Sequence, residues 1–210
     1  MTSISKISLK FSFQCSVAAL IFLLMAGCST YRPSNTENIC DIFRGETDWY
    51  EAAVESNEQW GTPIWVMMAI MHQESRFRHN VRSPRDYLLG FIPWGYKSSA
   101  YGFAQAKDEV WGEFQDEFDS GADRDDFYDA IQFIGWYTHK TQRRLKVSKW
   151  DAYNQYLAYH EGQGGFSRGS YKHKSWLLGV ANKVKNKAAM FNQQLKSCQS
   201  ELDDAIDGWF

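Results

Sequence analysis

Apolar residues recur along this chain mostly at intervals of three and four, which is the spacing that lines one face of an α-helix. The windows that show it are 47–57, 62–75, 107–118, 125–145, 148–160 and 176–196. No stretch shows a clear apolar-polar alternation of period two, so the expected class is mostly α, in one helical domain. Local start signals support several windows. Thr62 precedes Pro63, a residue suited to the first helical position, and Ser148 with Asp151 three positions later reads as a capping box. Two segments break the pattern and read as loops long enough to bind something: 83–101, with Pro84 and Pro93, and 162–174, rich in Gly, Ser and basic residues.

One window is apolar around its whole circumference rather than on one face. Ile64-Trp65-Val66-Met67-Met68-Ala69-Ile70-Met71 leads directly into His72-Gln73-Glu74-Ser75. A helix of that kind belongs in the core, so Glu74 is expected near the carboxyl end of a buried helix. Lost hydration and the negative end of the helix dipole both disfavour its charged form there, and its pKa should be raised. An ordinary exposed glutamate on a last helical turn is the plainer alternative.

A different apolar run, 11–25, follows Lys6 and Lys10 and ends in Leu24-Met25-Ala26-Gly27-Cys28. It is too short for a comfortable membrane span and has the layout of a secretion signal. Small residues before Cys28 resemble a bacterial lipobox, in which that cysteine carries lipid and becomes the first residue. The reading is a signal peptide over 1–27, a lipid-anchored tether over 28–39 and a domain over 40–210. Ser29 after the cysteine favours the outer membrane, with the domain on its periplasmic face.

Cysteine usage fits that compartment. Cys15 leaves with the signal and Cys28 is lipidated, so Cys40 and Cys198 remain as a candidate disulfide, with two buried thiols as the alternative. The formal net charge of the whole chain is −2, and losing Lys6 and Lys10 makes the mature chain more acidic still. A nucleic-acid partner is therefore not expected. Aromatic residues make up 16% of the chain, nine of them Trp and eleven Tyr, a load that suits both a packed core and a cleft that stacks on sugar rings.

Glu74-Ser75 after the apolar helix, then Ser83, then Ala100-Tyr101-Gly102-Phe103-Ala104-Gln105, then Leu157-Ala158-Tyr159-His160-Glu161-Gly162 resemble the successive motifs of the soluble-lytic-transglycosylase (SLT) family. The resemblance spans roughly 45–165 and implies an α-helical, lysozyme-like fold. It implies a peptidoglycan lytic transglycosylase, a carbon-oxygen lyase. Glu74 would protonate the β-1,4 glycosidic oxygen between N-acetylmuramic acid (MurNAc) and N-acetylglucosamine (GlcNAc). It would then take a proton from the muramic 6-hydroxyl, closing a 1,6-anhydroMurNAc ring. By the same resemblance Ser83 and Gln105 contact substrate and Tyr159 hydrogen-bonds the catalytic carboxylate. The partner implied is the peptidoglycan glycan strand, with no cofactor.

The chain departs from the family pattern in three places. The 83–105 stretch is longer than in compact members, Phe103-Ala104 replaces Leu-Met, and His160 replaces Asn. Within the insert, 84–99, Tyr87, Trp94 and Tyr96 are candidates for a lid or an extra sugar platform, against the plainer reading of a surface-packed hairpin. His72, His160 and His173 lack a metal-ligand spacing, so no metal site is expected. Glu161 is read as structural, Gly102, Gly162, Gly164 and Gly165 as turn formers, and Arg168, Lys172 and Lys174 as solvated or facing acidic stem peptides. A lysozyme-like hydrolase and a non-catalytic peptidoglycan-binding lipoprotein remain as alternatives.

Overall fold

The computed structural model describes residues 31–207. Cys15, Cys28 and the apolar run of 11–25 lie outside the described residues. Arg32–Phe210 is a compact unit. It contains the described core and the disulfide, and so holds what a domain needs to fold by itself.

Among the described residues there are seven α-helices, α1 Ile39–Gly45, α2 Thr47–Trp60, α3 Ile64–Ser75, α4 Asp108–Glu117, α5 Phe127–Leu145, α6 Ala152–Arg168 and α7 Ser175–Asp207, with strands β1 Arg85–Leu88 and β2 Ile92–Tyr96 between α3 and α4. The class is mostly α, as the periodicity predicts. α3 is the centre: Val66 to Met71 are fully buried, and α2, α5, α6 and α7 all pack on it. The close approach of α2 and α5 depends on Gly135, where a Cβ would lie 2.5 Å from the Trp60 ring and 2.6 Å from Ser56 Oγ. Elsewhere along the same pair Trp49 stacks on Phe127 at 4.0 Å between ring centres.

α7 runs for 33 residues. Its buried positions, Leu177, Ala181, Val184, Ala188, Phe191, Leu195, Cys198 and Leu202, alternate steps of four and three and so keep one apolar seam against the rest of the domain. Cys198 on that seam is bonded to Cys40 of α1, with Cα atoms 6.1 Å apart and the two positions 158 apart in sequence. Closing so long a loop restricts the unfolded chain, an effect worth about 4–5 kcal/mol in the chain-entropy model.

Three local expectations are corrected, and one choice is decided. The 83–101 segment contains a two-stranded antiparallel hairpin, the plainer of the two readings of the insert. Its strands are exposed on both faces, so no period-two burial pattern exists for the sequence to display. The 162–174 segment is largely helical: α6 bends at Gly162 (φ 73°, ψ 155°), continues to Arg168 and passes through a 3-10 turn, Ser170–His173. The cap of α6 is Asp151, which accepts from Asn154 N at 3.1 Å, rather than Ser148. Finally, the stretch read as tether is partly docked. Asn38 caps α1, Glu37 pairs with His72 and Lys187, and Gln194 bonds the backbone at both Glu37 and Ile39.

Candidate active site

Glu74 occupies the last turn of α3, which ends where Arg76 turns left-handed (φ 52°) and returns its N–H to His72 O. Its side chain lines a cleft of about 390 Å³ together with Gln105, Phe133, Tyr137, Tyr159, His160 and Glu161, among others. Burial holds the Glu74 carboxyl well above its ordinary value, at about 7, and one hydrogen bond from Tyr156 works in the opposite direction. A carboxyl poised there is protonated in a large fraction of molecules near neutral pH, so it can donate a proton to a leaving oxygen and later accept one.

The tyrosine beside this carboxyl differs from the one expected. Tyr156 is the phenol that favours the ionised form of Glu74. Tyr159, one turn further along α6, donates instead to Ala104 O at 2.6 Å, although its ring still lines the cleft. Both face the same way because they are three residues apart on a helix. Burial beside Glu74 pushes both phenols far above their ordinary range, which keeps them as neutral donors.

The floor loop, 100–106, is shaped by Gly102. A Cβ there would lie 1.9 Å from Arg124 O, and its φ of 78° is one that side-chain-bearing residues avoid. Gln105 also adopts a positive φ, 49°, and its amide nitrogen donates to Val81 O and Gly102 O, both at 2.9 Å. With both donors spent on backbone carbonyls, the amide oxygen is the part of Gln105 able to meet a ligand. Ser83 is not among the residues lining the cleft. It sits at the foot of the hairpin, its N–H bonded to Ala100 O at 3.4 Å.

A buried, proton-holding carboxyl at the end of an apolar helix, a loop built on Gly-x-x-Gln and a tyrosine-bearing helix over it are thus assembled in one cleft. The chain matches the family model described as Transglycosylase SLT domain over residues 16–198. It belongs to that family. No curated protein and no solved structure matches the chain. Membership in the transglycosylase SLT-domain family makes peptidoglycan the substrate and lytic transglycosylation the general activity.

Within this SLT domain a second carboxylate shares the cleft. Glu161 has a side chain only 4% exposed. Burial by itself would raise its pKa, but Lys174 at 2.8 and 2.9 Å, the Ser170 hydroxyl and His160 together overcome that and hold it at about 2. Gly165 makes room for this cluster, since a Cβ there would meet Ser170 Oγ at 3.0 Å. Of the basic residues expected to face solvent or stem peptides, Lys174 is therefore the internal partner of Glu161. His160, the third member, packs edge-on against Trp176 at 5.2 Å.

The motif reading missed Tyr156, Phe133 and Tyr137, and also Lys107, Glu109 and Val110 at the start of α4. Tyr156 was findable in principle, as the aromatic one turn before Tyr159. The others carry no local signal, because they reach the cleft through the packing of α4 and α5. Among the described residues no cluster of His, Cys, Asp and Glu could hold a metal ion.

Proposed function

We propose that this chain cleaves the MurNAc-GlcNAc β-1,4 bond of peptidoglycan with formation of 1,6-anhydroMurNAc, using Glu74 first as acid and then as base. One observation carries the reading: the two buried carboxyl groups of the cleft are held in opposite states, and only Glu74 is poised to exchange a proton. An inverting or retaining hydrolase needs a second carboxylate free to activate water or attack the sugar. Glu161 is bound by Lys174, Ser170 and His160, and the other carboxylate on the lining, Glu109, is exposed at the rim. Attack by the muramic 6-hydroxyl needs no second carboxylate. The proton Glu74 gives to the departing GlcNAc oxygen is replaced by the one it takes from that hydroxyl, so atoms balance without water.

Gln105 and Tyr159 serve as substrate-side groups in this proposal, Gln105 through its amide oxygen and Tyr159 by fixing the floor loop at Ala104. Ser83 fits less well, being absent from the lining. We further propose that the chain is a lipoprotein anchored through Cys28 at the periplasmic face of the outer membrane, a reading supported by the lipobox-like residues and by the Cys40–Cys198 bond, which suits an oxidising compartment.

Mass spectrometry of the soluble products of purified peptidoglycan, with Glu74→Gln alongside, tests the chemistry. Anhydro-muramic ends from the wild type and none from the variant are expected. Reducing ends would make it a hydrolase, and no product from either protein would leave a binding lipoprotein. Incorporation of labelled palmitate, abolished by Cys28→Ser, is the expected result for the anchor.

A further inference from the structure

The hairpin concentrates large apolar side chains in water to a degree seen nowhere else among the described residues. Leu89 is 77% exposed, Phe91 71% and Trp94 73%, and Tyr87, Leu88, Ile92 and Tyr96 are each more than 40% exposed. An exposed apolar patch of this density marks an interaction element.

The turn itself carries a second sign. Leu89 and Gly90 both have positive φ, 56° and 81°, a conformation that Gly, Asn or Asp adopts at little cost and that a leucine does not. Trp94 falls in the bulge where the pairing slips between Asp86 and Tyr87. Backbone geometry thus disfavours a large apolar residue at the tip, and the chain carries one there.

We propose that this hairpin seats the domain on a phospholipid bilayer surface, with the Leu88–Ile92 tip in the interfacial region. The chemistry is graded along its length. Aliphatic residues and Phe91 form the tip, Tyr87, Trp94 and Tyr96 follow, and Arg82, Arg85 and Lys97 stand at the base, with Asp86 as the single acid of the segment. Trp and Tyr favour the headgroup level, and cations there complement lipid phosphates. Arg85 is held over the Tyr96 ring at 5.4 Å, which keeps charge and aromatic ring at one depth, while Arg82 lies over Tyr101 at 4.0 Å and reaches Tyr96 at 5.7 Å.

Both faces of the two strands are exposed. A protein partner or second copy would cover one face and leave the other in water, whereas a bilayer surrounds the hairpin on all sides. Two open edges with unpaired backbone groups forbid deep entry into hydrocarbon, so seating is shallow. The base of the hairpin leads to Ala100, which lines the Glu74 cleft, so the membrane contact and the cleft are joined by a few residues. This inference stands on the hairpin alone and does not depend on the chemistry assigned to Glu74.

The test floats the unlipidated 32–210 domain with vesicles containing phosphatidylglycerol or phosphatidylcholine only, beside Leu89→Asn and the Leu89→Asn, Phe91→Ser pair. Asn suits the positive φ, so the turn is retained. Expected are binding that is stronger on anionic vesicles, a loss of at least about tenfold in partitioning for the pair, and unchanged release of soluble glycan from sacculi. No vesicle binding by the wild type, or equal binding by the variants, overturns the proposal. So does a loss confined to pelleting with sacculi, which makes the hairpin a glycan platform, or a loss confined to self-association in sedimentation.

Discussion

Two carboxyl groups face one cleft and are driven in opposite directions. Glu74 sits at the end of an apolar helix, only the Tyr156 phenol favours its ionised form, and burial keeps it near 7. Glu161, at the bend of α6, is also buried, yet an ammonium, a hydroxyl and an imidazole hold it near 2. The difference shows that burial alone does not decide a proton's affinity. What decides it is whether the hydration removed is replaced by donors and opposite charge. The cleft wall built by α3 withholds that replacement, and the wall built by α6 and the following turn supplies it. One group is thereby free for chemistry, and the other is committed to holding the bend.

Removing the reactive side of the comparison gives the largest effect. Glu74→Gln should lower glycan release by about 10²–10⁴-fold, the usual worth of a positioned acid-base group. The same variant should be more stable than the wild type at neutral and higher pH. Glu74 has a folded pKa raised from 4.5 to about 7, so its folded form holds a proton that the unfolded chain gives up. Stability is therefore lost as pH rises from about 4.5 through about 7, by up to about 3 kcal/mol. Thermal melts of both proteins across that range should diverge upward and coincide below pH 4.5. Parallel melts would mean that Glu74 is not desolvated.

The wild-type rate should carry the same signature, falling about tenfold per pH unit on the alkaline side of about 7 as the acid form of Glu74 disappears. A flat profile through pH 8 would remove Glu74 as the proton donor.

Breaking the committed side gives a smaller effect, on stability. Lys174→Met leaves the Glu161 charge buried with weaker compensation and should cost about 1–3 kcal/mol at neutral pH, the half-exposed lysine placing it below the fully buried case. Glu161 has a lowered folded pKa, so its contribution is present above pH 4.5 and is lost as pH falls towards 2. Denaturant melts should therefore show the Lys174→Met penalty shrinking on acidification, and adding Glu161→Gln should recover part of it.

The smallest change sharpens the comparison at one hydrogen bond. Tyr156→Phe removes the donor that stabilises ionised Glu74, so the alkaline limb should move to higher pH with a rate change of severalfold, equivalent to about 0.5–1.5 kcal/mol. Tyr159→Phe should leave that limb in place and act instead through the loop at Ala104. The reverse pattern would restore Tyr159 as the partner of the carboxyl.

Most helices were legible because each carries its own periodicity, although the window read for α7 stopped at 196 and the helix runs on to Asp207. The uniformly apolar run before Glu74 also announced a buried helix end, and with it a raised pKa. Tyr156 and Tyr159 could not be told apart, since residues one turn apart share a face and only the seating of α6 against α3 selects between them. Lys174 reads as loop charge until the turn after α6 folds back onto Glu161. The hairpin gave no alternation because neither of its faces is buried, and Glu37 gave no apolar signal because hydrogen bonds and charge hold it to α3 and α7.

Sequence by itself determined the helical class, the burial of α3, the placement of Glu74 at its end and the pairing available to Cys40 and Cys198. These follow from local periodicity, hydrophobicity and composition, which act residue by residue. Tertiary structure alone decided which tyrosine acts on Glu74, that the Glu161 charge is compensated by Lys174, that Gln105 spends its donors on the Val81 and Gly102 carbonyls, and that Ser83 stands away from the cleft. Each of those depends on distances between side chains remote in sequence, where a shift of one helical turn exchanges one partner for another.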